Sequence, residues 1–220
     1  MTDASAAATP AFTAADVELI DRKTKYHGYF RIERYRLRHR RFDGSWSDVI
    51  NREVFERGHS VGVLLYDPAR DAVVLIEQFR VGALAAGREP WMLEIVAGMI
   101  EPGHTLEETA MREAVEESGC TVRRLERIAD YLASPGGTSE NTTLFVGEID
   151  SRAAGGVHGL AEENEDIKVH VMSATVAINL ADSDRIHNSP AMVALFWLSR
   201  HREDLRDRWL RPVPAADAMP

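Results

Sequence analysis

A chain of 220 residues, 45% hydrophobic and 28% charged, is long enough for one large domain, or a catalytic domain with a small accessory one, and too apolar for global disorder. Its formal net charge of -9 offers no long-range attraction to nucleic acid or anionic lipid, so an anionic nucleotide would need bound cations or local arginines. The single cysteine, Cys120, excludes an intrachain disulfide, and no apolar run reaches the roughly 18 residues of a membrane span.

Residues 1–15 are rich in Ala and Thr and lack the basic start and apolar core of a secretory signal. They read as a disordered leader, and the protein as cytoplasmic. Ordered sequence is expected from Asp16. Residues 29–41 and 49–55 are strand-like about the turn former Asp43-Gly44, which predicts an N-terminal antiparallel hairpin over 16–57. Residues 61–66 and 72–79 flank Asp67-Pro68 and predict a second hairpin; residues 91–97 are one further buried strand. A helix over 106–118 follows, with Thr105 and Glu108 at capping-box spacing and Gly119 placed to stop it. Cys120, just beyond, reads as a small packing residue. Strands are expected at 143–146 and 167–172. Between them lie a Gly-rich loop, 153–159, and an acidic loop, 162–166. Two helices close the main domain of residues 58–210, near 174–181 and 189–201, the latter with Ser189 as N-cap and Pro190 in its first turn. Residues 211–220 read as a flexible tail. Strands and helices interleave without a βαβ rhythm, so a mixed-sheet α/β sandwich is expected rather than a doubly wound parallel sheet.

The chemistry concentrates between Gly98 and Gly119. Glu113 and Glu117 lie four apart on one helix face, and Glu116 borders it. Like charges at this spacing destabilise a helix unless neutralised, and hard divalent cations do so with oxygen ligands. Arg112, four before Glu116, can pair with it and orient the carboxylates. A lone Glu pair is most often a solvated helix face; the frame of Gly98, Gly103, Arg112 and Gly119 turns the reading towards a metal site.

That frame resembles the Nudix box: Gly, five residues, Glu, seven residues, then Arg-Glu-x-x-Glu-Glu-x-Gly and an apolar residue. One fixed position departs, with His104 where the family has its first Glu. His104 reads as a solvent-facing loop residue. The resemblance extends over residues 16–205, through Glu56-Arg-Gly-His-Ser, Ile76-Glu-Gln-Phe-Arg80, Trp91-Met-Leu-Glu94, Ala133-Ser-Pro-Gly-Gly-Thr-Ser-Glu140 and Gly159-Leu-Ala-Glu-Glu-Asn-Glu-Asp166, all similar to ADP-ribose pyrophosphatases. It implies an α/β/α sandwich with a mixed sheet and a small N-terminal antiparallel β domain. It also implies Mg²⁺, or Mn²⁺, on Glu113, Glu117, Glu165 and the carbonyl of Ala97, with Arg112 and Glu116 in support.

Four acids within Glu162–Asp166 form a strongly negative loop, whose ordinary fate is solvation. In similar enzymes a loop glutamate is the general base. By position that is Glu163 here, with Glu162 as its rival. The resemblance assigns Tyr29 to adenine stacking, Arg52 to a polar contact, Arg80 to a phosphate and Glu140 to the base or terminal ribose. Taken singly, each would read as strand packing or a surface ion pair. It also implies a homodimer with exchanged N-terminal strands, so that Tyr29 and Arg52 serve the partner's site. The basic run from Arg34 to Arg41 alternates along a strand in an acidic chain and does not indicate nucleic acid. The reaction implied is Mg²⁺-dependent hydrolysis of ADP-ribose to AMP and ribose 5-phosphate. The alternatives are another nucleotide sugar such as GDP-mannose, or a non-catalytic ADP-ribose sensor, against which the intact Glu113, Glu116 and Glu117 argue.

Overall fold

The computed structural model describes residues 11–211. Residues 1–10 and 212–220, most of the expected leader and tail, lie outside the described residues. The chain divides into two compact units: the residues up to Gly58 joined by Ala133–Glu140, and His59–Leu132 with the chain from Asn141 onward.

The first unit is a three-stranded antiparallel sheet of β1 (Val17–His27), β2 (Arg31–His39) and β3 (Ile50–Glu56), with β2 central. The expected hairpin is β2 and β3, paired from Arg31↔Glu56 to Leu37↔Ile50. The expectation missed β1, whose charged, largely exposed sequence carries no alternation of apolar residues. Thr13 caps a 3-10 turn over Ala14–Asp16 that leads into it. Tyr29 stands in the β1–β2 bend rather than in a strand. The segment Ala133–Glu140 fastens to β3: Phe55 N–H donates to the Gly137 carbonyl at 2.8 Å, and Ser139 Oγ donates to Glu56 Oε2 at 2.6 Å.

The second unit is built on a mixed sheet ordered β10-β11-β5-β4-β9-β8, with β6 on β5 and β7 on β4. Its strands are β4 (Ser60–Asp67), β5 (Ala72–Phe79), β6 (Trp91–Glu94), β7 (Val96–Met99), β8 (Arg124–Leu132), β9 (Asn141–Glu148), β10 (Val157–His158) and β11 (Ile167–Ser173). β4 and β9 run parallel, and the other pairs antiparallel. The helices are α1 (Val81–Ala85), α2 (Leu106–Ser118), α3 (Ala174–Asp182) and α4 (Ser189–Leu210). Strand alternation supplies two faces. Leu64, Tyr66, Val73, Leu75, Leu144 and Val146 pack under α3 and α4, while Val63, Leu65, Val74, Ile76 and Phe145 pack under α2. This is the expected α/β/α sandwich. Each fully buried Leu or Ile there contributes about 1.5–3 kcal/mol.

Three details differ from expectation. The single strand over 91–97 is two, β6 on β5 and β7 on β4, because the chain crosses from one neighbour to the other at Ile95. Asn188, not Ser189, caps α4, its side chain accepting from Ala191 N–H at 3.1 Å while its amide donates to the Leu93 carbonyl. α4 also runs on past residue 201 to Leu210, since Leu198, Leu205 and Trp209 continue its buried stripe through a charged sequence. Cys120 is buried, as a packing residue should be. Among the described residues, no helix is long and apolar enough to cross a membrane.

Candidate active site

The site forms where α2 packs under β7. The capping box starts α2: Thr105 Oγ1 accepts from Glu108 N–H at 3.1 Å, and Thr105 N–H donates to Glu108 Oε2 at 2.8 Å. Gly119 ends it in the left-handed conformation, φ 69°. The phase so set turns Glu113 and Glu117 into the sheet. Glu117 is 3% exposed, with Oε2 accepting from Ala97 N–H at 3.0 Å. Glu113 lies against Gly98 so closely that a Cβ there would stand 1.9 Å from its Oε1. The glycine of the motif is therefore a cradle for the carboxylate.

Burial decides the charge of both acids. Desolvation pushes Glu117 up to about 8, with Glu113 and Glu165 adding to the rise, while the Ala97 amide and Arg80 oppose it. Glu113 is raised by the same desolvation, opposed chiefly by Arg112. Arg112 Nη1 donates to Glu116 Oε2 at 2.6 Å and Nη2 to Glu113 Oε1 at 2.8 Å, so one guanidinium orients both carboxylates. Desolvated carboxylates next to others stay ionised only with added positive charge.

That requirement fits an oxygen-ligated divalent cation. Among the described residues, no three acid, histidine or cysteine side chains stand close enough together to cage a metal. Glu113 is held by Arg112, and Glu117 by the Ala97 amide. Glu165 belongs to the loop after β10; its carboxylate accepts from Leu160 N–H at 3.4 Å, and Gly159 N–H ties that loop to the Glu116 carbonyl at 3.3 Å. The acidic loop contains a 3-10 turn, Ala161–Glu163. The side chain of Glu163 lies outside the described residues, and Glu162 is exposed.

Arg80 directly follows β5 and precedes α1, beside these acids. Its Nε and Nη2 donate to Glu94 Oε2 at 3.0 and 2.8 Å, and Glu94, Glu117 and Glu165 favour its charge against burial. Sequence reasoning gave Glu94 no role. The contact joins residues 14 apart across the β5–β6 hairpin, so only strand register could have pointed to it. His104 is half exposed in the loop before α2, with Nδ1 4.0 Å from Glu101 Oε2, as expected for a solvent-facing residue.

The other predicted residues belong to the first unit. The Tyr29 side chain is 93% exposed. Arg52 on β3 donates from Nη1 to the Asn51 carbonyl at 2.9 Å, and Glu140 faces Arg57 Nη1 at 3.4 Å. A surface cleft of about 370 Å³, lined by Glu77, Trp91, His170 and His187 among others, contains none of the predicted residues.

Residues 56–201 match the model of the NUDIX domain. This chain belongs to the Nudix family. It is 49% identical over 198 residues to the ADP-ribose pyrophosphatase of Escherichia coli (strain K12), covering 90% of this chain and 95% of that one. The ADP-ribose pyrophosphatase of Haemophilus influenzae is 41% identical, covering 91% and 94%. The GDP-mannose pyrophosphatase of Pectobacterium atrosepticum is 31% identical, covering 83% and 93%. A crystal structure of an ADP compounds hydrolase shares the fold, with a TM-score of 0.66 at 21% identity over 88% of this chain and 96% of that one. As a Nudix protein with every box carboxylate of the helix in place, the chain has the acids of a hydrolase.

Proposed function

We propose that this Nudix protein hydrolyses the diphosphate of ADP-ribose, giving AMP and ribose 5-phosphate. The observation that carries the reading is the pair of buried carboxylates, Glu113 seated on Gly98 and Glu117 on the Ala97 amide, with Arg80 beside them. The 49% identity to a protein named ADP-ribose pyrophosphatase supports the substrate.

In this reading Glu113, Glu117 and Glu165, with the Ala97 carbonyl, would hold Mg²⁺ or Mn²⁺. A metal held there would supply positive charge for the diphosphate and would lower the pKa of a water bound to it. Arg112 and Glu116 keep the carboxylates oriented. Glu163 takes the proton as water attacks a phosphorus and the P–O bond of the anhydride breaks. Arg80 donates to a phosphate oxygen, for which a guanidinium is well suited. Tyr29 stacks on adenine, Arg52 makes a polar contact, and Glu140 accepts from the base or from sugar hydroxyls. The three-stranded unit exchanges strands in a homodimer and carries Tyr29 and Arg52 to the partner's site. The chain is placed in the cytoplasm, with a small nucleotide sugar as its ligand and neither nucleic acid nor membrane as a partner.

The test is a panel of nucleoside diphosphate derivatives with Mg²⁺, analysed for phosphate-containing products. ADP-ribose is expected to be the best substrate by kcat/KM. Preference for GDP-mannose would replace the substrate while leaving the reaction standing. Tight ADP-ribose binding without turnover would mark a sensor instead.

A further inference from the structure

We propose that Glu94 is a positioning residue that holds the Arg80 guanidinium as a preset arm for the substrate's phosphate. The inference rests on the proposed diphosphate hydrolysis, in which Arg80 meets that phosphate.

The β5–β6 register pairs Ile76 with Glu94 and Phe79 with Trp91. Paired residues point to the same face of a sheet, and so do residues two apart along a strand. Ile76 packs under α2, so Gln78, Arg80 and Glu94 share the face on which α2 presents Glu113 and Glu117. The backbone of Arg80 is tied on both sides: its N–H donates to the Pro90 carbonyl at 2.7 Å, and its carbonyl accepts from Ala83 and Leu84 N–H at 3.1 and 3.3 Å. What is left free is a long side chain with several rotatable bonds, and Glu94 restrains it. Two donors on one edge of the guanidinium, Nε and Nη2, converge on the single oxygen Oε2, with Gln78 Nε2 3.5 Å from the same atom.

The two partners are unequally covered. The Glu94 side chain is 12% exposed and that of Arg80 43%. The anion is thus built into the sheet, and the cation reaches out from it. A guanidinium has five N–H donors, so an edge held by Glu94 leaves the Nη1 donors for an incoming phosphate oxygen. Arg80 is also within the field of Glu117 and Glu165. Without its own carboxylate partner, the arginine would be drawn towards those acids and compete for the charge that a metal must satisfy. Glu94 therefore does two things: it aims the arm, and it keeps the arm off the other acids.

A double-mutant cycle tests this, using the full chain with Mg²⁺ and ADP-ribose. Glu94→Ala is expected to lower kcat/KM about tenfold, mainly through KM, inside the roughly two- to hundredfold range of couplings between contacting residues. In an Arg80→Ala background the same change should alter kcat/KM less than about twofold. Glu94→Gln, which keeps the volume and one acceptor oxygen, should recover part of the loss, and its melting temperature separates this effect from misfolding. Additive losses in the cycle, or an unchanged KM in Glu94→Ala, overturn the proposal. If the parent fails to hydrolyse ADP-ribose, the proposed function is wrong. The same cycle is then read from Mg–ADP binding by calorimetry, where additivity or an absence of binding by the parent overturns the role of Glu94.

Discussion

Glu117 couples the site to the stability of the fold. Its carboxyl is pushed up to about 8 from an ordinary 4.5, first by burial. Across that window, in metal-free protein, the folded chain binds a proton that the unfolded chain has already released. Stability therefore falls as pH rises from about 4.5 towards 8, and Glu113, raised in the same sense, adds to the slope. Glu117→Gln removes its part of the dependence. In EDTA, the melting temperature of the parent should fall more steeply between pH 5 and 8 than that of the variant, and parallel curves would show that Glu117 is ionised throughout; assayed with saturating Mg²⁺, the variant should have lost most activity. Mg²⁺ added at pH 8 should raise the melting temperature of the parent more than that of Glu117→Gln. The acids of the loop should separate by role. Glu163→Gln is expected to lower kcat by roughly 10²–10⁴, the usual contribution of a general base, with little change in substrate binding. Glu165→Gln should appear as a raised Mg²⁺ requirement, and Glu162→Gln should be mild. A crippled Glu162→Gln beside a near-normal Glu163→Gln would move the base by one residue.

Among the elements, α2 is the one whose local sequence determines nearly everything about it. The capping box and the left-handed Gly119 are both present where the spacing places them, and each acts within a turn of the backbone, so both can be read without knowing the fold. β7 is different. It is four residues long, and its identity comes from pairing with β4 and from the approach of Glu113 to Gly98. Gly98→Ala tests that approach. A methyl group 1.9 Å from Glu113 Oε1 has to displace the carboxylate, so kcat/KM should drop by at least about tenfold, as expected when a reacting group is misplaced. Circular dichroism should show the fold retained, because the displaced group lies at the end of a side chain. Unchanged kinetics would mean that Glu113 functions from another position.

At the scale of the whole molecule, the proposed assembly can be tested through the sites themselves. Tyr29, 93% exposed, and Phe42, 92% exposed, are large surface aromatics of the small unit. If Arg52 serves the partner's site, Arg52→Ala and Glu117→Gln protomers are each nearly inactive alone. Unfolded and refolded together, they should recover about a quarter of parent activity, since half the dimers are mixed and each has one complete site. No recovery, with dimers confirmed by sedimentation, would place Arg52 in its own protomer's site.

What the sequence determined by itself was local or periodic: the capped and terminated α2, the Glu113–Glu117 face, the Arg112–Glu116 pair, the strands β4, β5 and β11, and the sandwich that their spacing implies. Such features depend on residues a few positions apart and on the 3.6- and 2-residue periods of helix and strand. Tertiary structure decided the rest. It placed β1 and β8, whose polar sequences become strands only beside a neighbour, and it carried α4 on to Trp209 because buried surface was waiting there. It also shifted the Glu117 carboxyl, by burying it beneath β7, and brought Arg80 onto Glu94 across a hairpin. Each of these needs a desolvated environment or a partner distant in sequence, and neither is encoded in the spacing of nearby residues.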